Sequence, residues 1–356
     1  MKFTSMVASL AVVLAFSGIS FGAVIYSENF DTDQTANWTF ASSINGDTAT
    51  NNTGGEANVF FDYSTVGIPS APNSGGTTRG MKMEANILGT GVFSGMSMSP
   101  NGVSVTGDFV MTFDMWQNAN GPFPAGGSGS TQMTIAGYGS NGTTVQFPGS
   151  AVQNSVYFGG TGEGGSGVDY RAYLGTGGYT GTAPVLTVAA GSAQPDAQKN
   201  PDGSPVYAAG AASGSTNNSN AFYTSLFPAH GAPSAQTTLF PQQTGNTATG
   251  VLGMAWNAWK ITKSGTRLTW QVNGNTLATI DTTMNPAFNF SGSNIFFGQF
   301  DINATSTTDV NGRNLLFGLV DNVVVESVVV PEPATSALLV LGVAAIASVT
   351  RRRRAS

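Results

Sequence analysis

Three alternating runs near the C-terminal end constrain the fold of this chain more than any other feature. The runs 259–263, 267–272 and 276–280 largely alternate polar and apolar residues, and a Ser-Gly pair and an Asn-Gly pair separate them. Asn-Gly between two such runs is the strongest short signal for a hairpin, because both residues tolerate the positive φ of a type I′ turn. The pattern therefore predicts an antiparallel meander of three strands.

The rest of the body favours strands and turns as well. The run 108–116 is the cleanest strand of the first half, since its apolar residues Phe109, Met111, Phe113 and Met115 fall on one face. Further strands are predicted at 23–30, 132–136, 155–158, 169–174, 295–297 and 317–325. The chain contains 47 Gly residues, and no segment of the body sustains a helical period. Many short strands with turn signals predict an all-β sandwich of two sheets.

Long Gly-, Ser- and Pro-rich stretches interrupt this pattern between residues 119 and 250. They include GPFPAGGSGS, GGTGEGGSG and AGSAQPDAQKNPDGSP. Loops of this kind either carry function or are additions to the fold that have no function of their own. The chain shows no repeat of fixed period, which disfavours a propeller or a solenoid. We therefore predict one decorated domain with a loop-rich part at 119–250.

The N-terminal residues have the order of a secretory signal peptide. A basic residue precedes an apolar run at 6–16, and small and turn-forming residues follow up to Gly22. We expect residues 1–22 to form a signal helix and the mature protein to begin at Ala23 or Val24. The alternative, a membrane helix, is disfavoured because the apolar run is too short to span a bilayer comfortably.

The C-terminal segment 334–350 has no charged residue and is mostly apolar. As a helix, it would rise about 25 Å, against about 30 Å for the hydrocarbon core of a bilayer, so it predicts a short transmembrane helix. A basic cluster follows directly, formed by Arg351, Arg352, Arg353 and Arg354. Such a cluster tends to stay in the cytoplasm, and the body before the tail is then exported.

The tail also carries a proline motif, Val330-Pro331-Glu332-Pro333, directly before the apolar run. Proline motif, apolar run and terminal Arg cluster, in that order, resemble a PEP-CTERM sorting signal. The resemblance implies processing by an exosortase during a transient stay in the inner membrane, then delivery to the cell surface or extracellular matrix, with an association with exopolysaccharide. A plain membrane anchor is the alternative. The predicted segments are a signal peptide at 1–22, a sandwich domain at 23–329 and a sorting signal at 330–356.

The two ends of the body carry a second resemblance. The body opens with SENFD at 27–31 and closes with LVDNVVV at 319–325, and the meander has a Trp at its start and Val-Asn-Gly at its second turn. These features resemble concanavalin-A-like and laminin-G-like jelly rolls. The resemblance implies a two-sheet jelly-roll sandwich with long Gly/Ser-rich loops, in which the first and last strands lie side by side.

Charge and cysteine content exclude several classes of function. Removal of both targeting segments leaves about 307 residues with 8 basic and 18 acidic side chains, and thus a net charge of −10. Such a body has no basic footprint for nucleic acid and is repelled by anionic membrane surfaces. The chain has no cysteine, which excludes disulfides, thiolate metal sites and cysteine nucleophiles.

No catalytic constellation stands out in the sequence. The one histidine, His230, has no Ser-centred elbow nearby, and a lone loop histidine is typically solvated. Jelly-roll glycosidases need two carboxylates about 5 Å apart, commonly from an E-x-D-x-x-E strand, and that string is absent. Glu28, Asp31 and Asp33 come closest, but their place in a polar turn favours capping. We therefore predict a protein that is not an enzyme.

The same turn raises the question of a structural calcium ion. If the first and last strands are neighbours, Glu28, Asp31 and Asp321 converge near one edge and offer oxygen ligands of the kind that Ca²⁺ requires. Isolated surface acids are the alternative, because no ligand spacing like that of an EF-hand is present. No other cofactor is predicted.

Aromatic residues beside loops are the candidates for sugar binding, because aromatic faces stack on pyranose rings while loop amides bond their hydroxyls. The candidates are Trp116, Tyr170, Tyr173 and Trp256, with core packing as the alternative for each. We expect a non-catalytic cell-surface or matrix protein associated with exopolysaccharide. A lectin-like glycan-binding protein is the second interpretation, and a polysaccharide-cleaving enzyme is the third.

Overall fold

The computed structural model describes residues 22–44, 48–50, 55–86, 94–124, 131–148, 155–175, 199–208, 216–286, 288–302, 309 and 311–328. Residues Val24–Ser327 form a compact unit. The predicted signal helix, proline motif, hydrophobic helix and Arg cluster lie outside the described residues, and the predicted domain bounds stay predictions. Within the described part of the chain, no helix has both the length and the apolar character needed to cross a bilayer.

The described residues form fourteen strands in two antiparallel sheets. In chain order the strands are β1 (Val24–Glu28), β2 (Trp38–Ser42), β3 (Gly55–Asp62), β4 (Arg79–Ala85), β5 (Gly95–Pro100), β6 (Phe109–Asn118), β7 (Gln132–Ser140), β8 (Val156–Thr161), β9 (Tyr170–Leu174), β10 (Trp256–Ser264), β11 (Arg267–Val272), β12 (Asn275–Asp281), β13 (Asn294–Asp301) and β14 (Phe317–Ser327). The larger sheet has the order β12-β11-β10-β6-β14-β4-β3, and β1 pairs with the C-terminal half of β14. The smaller sheet has the order β2-β5-β13-β7-β8-β9. Three short α-helices lie in the described connections: α1 (Ala221–Leu226), α2 (Ser234–Leu239) and α3 (Gly312–Leu315).

The sheet topology confirms the predicted all-β sandwich of two sheets and the three-strand meander. β10, β11 and β12 pair as consecutive antiparallel strands, and the turn residues Asn273 and Gly274 adopt φ angles of 50° and 79°. β1 lies beside β14, as expected for the first and last strands. The other predicted strands are present as well, with bounds that differ by a few residues.

The sequence does not predict the strands β2 to β5 or the helices α1 and α2. β5 reads GMSMSP, and its Gly, Ser and Pro residues hide an alternation of methionines, although all six residues are buried. The helices α1 and α2 have six residues each, too few to show a period of 3.6. Short elements with turn-like composition therefore escape pattern analysis.

The main core lies between the sheets and is rich in aromatic rings. Phe113, Trp259, Trp270 and Phe297 are each at most 3% exposed. Phe113 meets Phe297 edge-on, with ring centroids 5.0 Å apart, and Trp259 lies 4.8 Å from Trp270. Burying each such side chain contributes about 1.5–3 kcal/mol of transfer free energy. The predicted inward face of β6 is confirmed, since all four of its apolar residues are buried.

A second hydrophobic cluster covers one half of the outer face of the larger sheet. We call it the outer core; its buried members are Tyr63, Ile68, Trp116, Ala119, Phe123, Met254, Phe317 and Leu319. The segment 63–78 and α2 close over this cluster. They meet at Gly67, which has a φ of 74° and where a Cβ would lie within 2.5 Å of the backbone of Ala235 and Gln236. On the other half of the face, Thr112 and Lys260 are exposed.

Candidate functional site

Side chains of β10, β6 and β14 form three rows across the outer face of the larger sheet. We call them the covered row, the boundary row and the open row. The strand register places Trp256, Trp116 and Leu319 in the covered row, Ala258, Asp114 and Asp321 in the boundary row, and Lys260, Thr112 and Val324 in the open row. Alternate residues of a strand point to the same side. The covered row is therefore apolar, the boundary row carries two acids, and the open row carries Thr112 and Lys260 beside Val324.

A cleft of about 1260 Å³ lies against the boundary and open rows. Thr112, Ala258, Lys260 and Gln271 line it from neighbouring strands, so its floor is a rigid sheet. The described lining includes seven amide side chains: Asn29, Gln34, Asn37, Asn73, Asn101, Gln271 and Asn322. An amide both donates and accepts hydrogen bonds, as a hydroxyl group does. The cleft is therefore chemically suited to a ligand rich in hydroxyl groups.

Asp114 joins the cleft to the loop that covers the outer core. It is fully buried, and its Oδ1 accepts a hydrogen bond from Asn73 Nδ2 at 2.9 Å. Its Oδ2 accepts from the backbone N–H of Asn73 at 3.1 Å and from Asn322 Nδ2 at 2.9 Å. Hydrogen bonds to an ionised acceptor are stronger than neutral ones. Asp114 therefore fixes the loop at Asn73 and the strand at Asn322 in one place.

β14 carries a β-bulge beside Asp114. The register with β6 shifts just after Asp321, and Asn322 has a positive φ of 54°. Asp321 is fully buried, and its Oδ1 accepts from the backbone N–H of Asn322 at 2.7 Å. Burial above all, together with the negative charges of Asp114 and Asp31, raises the pKa of Asp321 to about 7, against the opposing effect of its hydrogen bonds with Tyr63 and Asn322.

The hydroxyl group of Tyr63 connects Asp321 to the segment over the outer core. It accepts from the Ala71 N–H at 3.1 Å and lies 3.1 Å from both the Thr77 carbonyl oxygen and Asp321 Oδ2. A hydroxyl has one proton and can donate to one of these two oxygens. Donation from Tyr63 to Asp321 stabilises the ionised carboxylate, so this contact lowers the pKa of Asp321 and opposes the larger effect of burial.

The structure does not arrange Glu28, Asp31 and Asp321 as the predicted calcium site. Among the residues that it describes, no three His, Asp or Glu side chains are placed to hold a metal ion. Glu28 instead accepts from the backbone N–H of Phe30 at 2.7 Å, and Asp31 accepts from Asn29 Nδ2 at 2.8 Å. Both carboxylates thus stabilise the turn that follows β1, which is the capping role that the polar turn also allowed.

Three of the four aromatic residues predicted to bind glycans are buried. Trp116 is 2% exposed, Tyr170 is 1% exposed and Tyr173 is 4% exposed. Trp116 belongs to the outer core, while Tyr170 stacks on Tyr223 with ring centroids 3.9 Å apart and Tyr173 stacks on Tyr157 at 4.7 Å. Protein covers their faces, so these three rings follow the core-packing alternative and are not available to a sugar.

The fourth aromatic candidate, Trp256, lies half-buried beside a groove of about 290 Å³. Its Nε1 donates to the carbonyl oxygen of Pro69 at 2.8 Å, and its ring packs at the edge of the outer core. His230 lines the same groove. The described lining contains no carboxylate, so no acid orients the imidazole of His230 there.

Sequence reasoning misses most of the cleft because its amides come from separate segments of the chain. Three of them follow β1, one lies in the loop before β4, one follows β5, and the last two lie on β11 and β14. No fixed spacing in the sequence relates them. Asn is common in turns, so its presence there is no signal of binding. The signals that do point to this region are the strand at 108–116, which contains Thr112 and Asp114, and the closing LVDNVVV, which contains Asn322.

Comparison with known proteins characterises the C-terminal end of the chain. Residues 329–354 match the family model of the PEP-CTERM protein-sorting motif. The match covers the proline motif at Val330–Pro333 and the basic cluster at Arg351–Arg354, and it confirms the predicted sorting signal. The motif implies processing by an exosortase, export and sorting to the cell surface. No curated protein matches the chain.

Several solved structures are similar to the body at low sequence identity. The carbohydrate recognition domain of Emp46p in its metal-free form has a TM-score of 0.40 and 9% identity, over 86% of this chain and 99% of that chain. A glycoside hydrolase family 16 endo-glucanase from Bacteroides ovatus has a TM-score of 0.38 and 11% identity, over 85% and 100%. The Bacillus licheniformis β-glucanase has a TM-score of 0.37 and 9% identity, over 85% and 98%. Similarity at this level carries no conclusion about activity or ligand.

Proposed function

We propose that this protein is a non-catalytic cell-surface or extracellular-matrix protein that binds exopolysaccharide through the amide-lined cleft. The cleft carries the proposal, because amide side chains from several segments meet there over a rigid floor. The sorting motif at 329–354 supports the location, since it implies export and sorting to the cell surface.

The chemistry of the cleft favours a neutral polysaccharide. Glu28, Asp114 and Lys260 are the charged residues of the described lining, against seven amides. Neutral sugars present hydroxyl groups, which amides recognise by donating and accepting hydrogen bonds. A net charge of −10 on the body also disfavours strongly anionic polymers through long-range repulsion.

The carboxyl groups at the boundary row support binding without cleavage. Glycoside hydrolysis needs an acid and a base or nucleophile that both reach the glycosidic bond. Asp114 and Asp321 lie opposite each other on neighbouring strands, but both are 0% exposed. Asp114 accepts three hydrogen bonds from protein groups, and Asp321 is covered by Tyr63. Neither carboxyl is available to a sugar in this arrangement.

Co-sedimentation of the full-length protein with exopolysaccharide from its native host tests this function. Gln271→Ala removes an amide from the cleft and is expected to weaken binding by about three- to tenfold, the effect of one hydrogen-bonding group. Asn289→Ala, which removes an exposed amide outside the described cleft lining, is the matched control and is expected to bind like the wild type.

Reducing-end release, measured on the same samples, separates binding from cleavage. We expect no release above the polysaccharide blank. Equal binding by the wild type and Gln271→Ala contradicts the cleft as the binding site, and release of reducing ends by the wild type contradicts the non-catalytic role.

A further inference from the structure

The cleft and the groove beside Trp256 are separated by a single ridge of backbone. The ridge consists of the start of β10 and the adjoining turn between β11 and β12. Asn257 and Asn273 line the groove on one side of it, and Ala258 and Gly274 line the cleft on the other side. The Asn273 N–H donates to the Ala258 carbonyl at 2.8 Å, and Asn273 Oδ1 accepts from the Ala258 N–H at 2.9 Å. Neighbouring residues of one rigid turn therefore face two adjoining sites.

The ridge leaves room for a ligand to pass over it. Gly274 is exposed, and a Cβ built there would meet no atom within 4 Å. Asn273 is exposed as well, and its Nδ2 donates to Asn257 Oδ1 at 2.9 Å, which fixes the amide on the groove side. A chain that leaves the cleft at Gly274 therefore reaches the groove without crossing packed protein.

The groove has the size and surface for one further sugar. Its volume of about 290 Å³ is at the lower end of ligand pockets, which run from about 300 Å³ upward. Trp256 supplies a half-buried ring whose Nε1 is fixed to Pro69, and a fixed aromatic face is a stacking surface for a pyranose ring. His230 and Asn273 add polar groups beside that ring.

His230 is placed to bind without being needed for the fold of its loop. Its backbone N–H donates to Thr247 Oγ1 at 3.0 Å, and its carbonyl accepts from the Thr247 N–H at 2.8 Å. These backbone contacts hold the loop, while the half-buried imidazole lines the groove. An imidazole both donates and accepts in its neutral form, which suits a sugar hydroxyl.

We propose that the groove at Trp256 and His230 is a second sugar subsite, continuous with the cleft across the Asn273-Gly274 turn. The inference rests on the proposed function and adds the ligand class to it. The ligand is an extended polysaccharide strand held over several sugar units, rather than a terminal sugar. The cleft binds one part of the strand and the groove binds the part that follows.

The test is the dependence of affinity on glycan length. The probes are size-graded fragments obtained by partial hydrolysis of the exopolysaccharide of the native host, titrated into the full-length protein in detergent. We expect wild-type affinity to rise with fragment length until the groove is filled. Trp256→Ala and His230→Ala are each expected to weaken binding of long fragments by about tenfold and to leave disaccharide binding unchanged.

Two comparisons keep the outcome clear. Trp256→Ala removes a ring from the edge of the outer core, so His230→Ala, which keeps the backbone contacts with Thr247, is the variant expected to fold normally. Gln271→Ala in the cleft is expected to weaken short and long fragments alike. Equal losses at all lengths for His230→Ala, or no loss for long fragments, overturn the second subsite alone. Failure of the wild type to bind any fragment overturns the proposed function together with the subsite.

Discussion

The covered and open rows of the larger sheet are built from the same three strands but have opposite surroundings. Trp116 and Leu319 are buried under the segment 63–78, whereas Thr112 and Lys260, on the same faces of β6 and β10, are exposed beside the cleft. Both rows lie on the same strands, but the segment 63–78 covers only one of them. The comparison teaches that the position of the cleft on this sandwich is defined by where its loop cover stops.

The cover stops at the boundary row, and the contacts there explain why. Asp114 binds Asn73 of the covering segment, and Asp321 contacts Tyr63 at the start of that segment. The bulge at Asn322 brings the Asn322 amide to the same carboxylate. Two buried acids therefore hold the edge of the loop, and the row beyond them is left to the cleft.

Leu319→Ala should have the largest effect on stability, because it destabilises the covered half of the sheet. Leu319 is fully buried in the outer core, and truncating such a side chain removes apolar contacts and leaves a cavity. We expect a loss of about 4 kcal/mol in the free energy of unfolding, measured by urea denaturation. Val324→Ala, in the open row of the same strand, is the matched control and should cost about 1 kcal/mol or less. Equal losses for the two variants would contradict the comparison.

Asp321→Asn should change how stability depends on pH. The folded protein keeps the Asp321 proton until about pH 7, while an unfolded Asp loses it near pH 4. The unfolded state therefore binds fewer protons between these values, so the contribution of Asp321 to stability falls as pH rises from about 4 to about 7, and it stays low above that range. Asn keeps a neutral donor and acceptor at this position, so the fall should disappear.

The size of this effect follows from the pKa difference between the folded and unfolded states. We expect Asp321→Asn to be more stable than the wild type at pH 8 by on the order of 4 kcal/mol, and nearly equal to it at pH 4. Urea denaturation of both proteins at several pH values measures the difference directly, with the other titrating groups cancelling. A difference that does not change with pH would show that Asp321 does not hold its proton in the fold.

The sequence predicts the scaffold of this site better than the site itself. Alternation identifies β6 and β10, and Asn273-Gly274 identifies the turn that becomes the ridge, because these signals depend on neighbours in the chain. Trp116 is misleading for the opposite reason: its place at a strand end looks exposed, but the distant segment 63–78 covers it. Asp321 gives no sign of its raised pKa, which arises from groups far apart in sequence.

Asn73→Ala should loosen the edge of the cover with a smaller effect. It removes the side-chain donor to Asp114 Oδ1 and leaves the backbone donor in place. We expect a loss of about 2 kcal/mol in stability, since the lost hydrogen bond is to a charged acceptor. Amide hydrogen exchange in residues 68–78 should speed up more than exchange in β11, and uniform acceleration would contradict a local anchor. Asn289→Ala serves as the control.

Thr112→Ala should have the smallest effect on stability. It tests whether the open row is free of packing contacts, in contrast to the covered row. Thr112 is exposed in the open row, with Lys260 and Val324 as its register neighbours, so its truncation leaves no cavity and no buried group unpaired. The free energy of unfolding should stay within about 0.5 kcal/mol of the wild type, while polysaccharide binding weakens because Thr112 lines the cleft. A loss of stability comparable to that of Leu319→Ala would mean that something packs over the open row. The cleft would then be covered in solution, and its residues would serve the fold rather than a ligand.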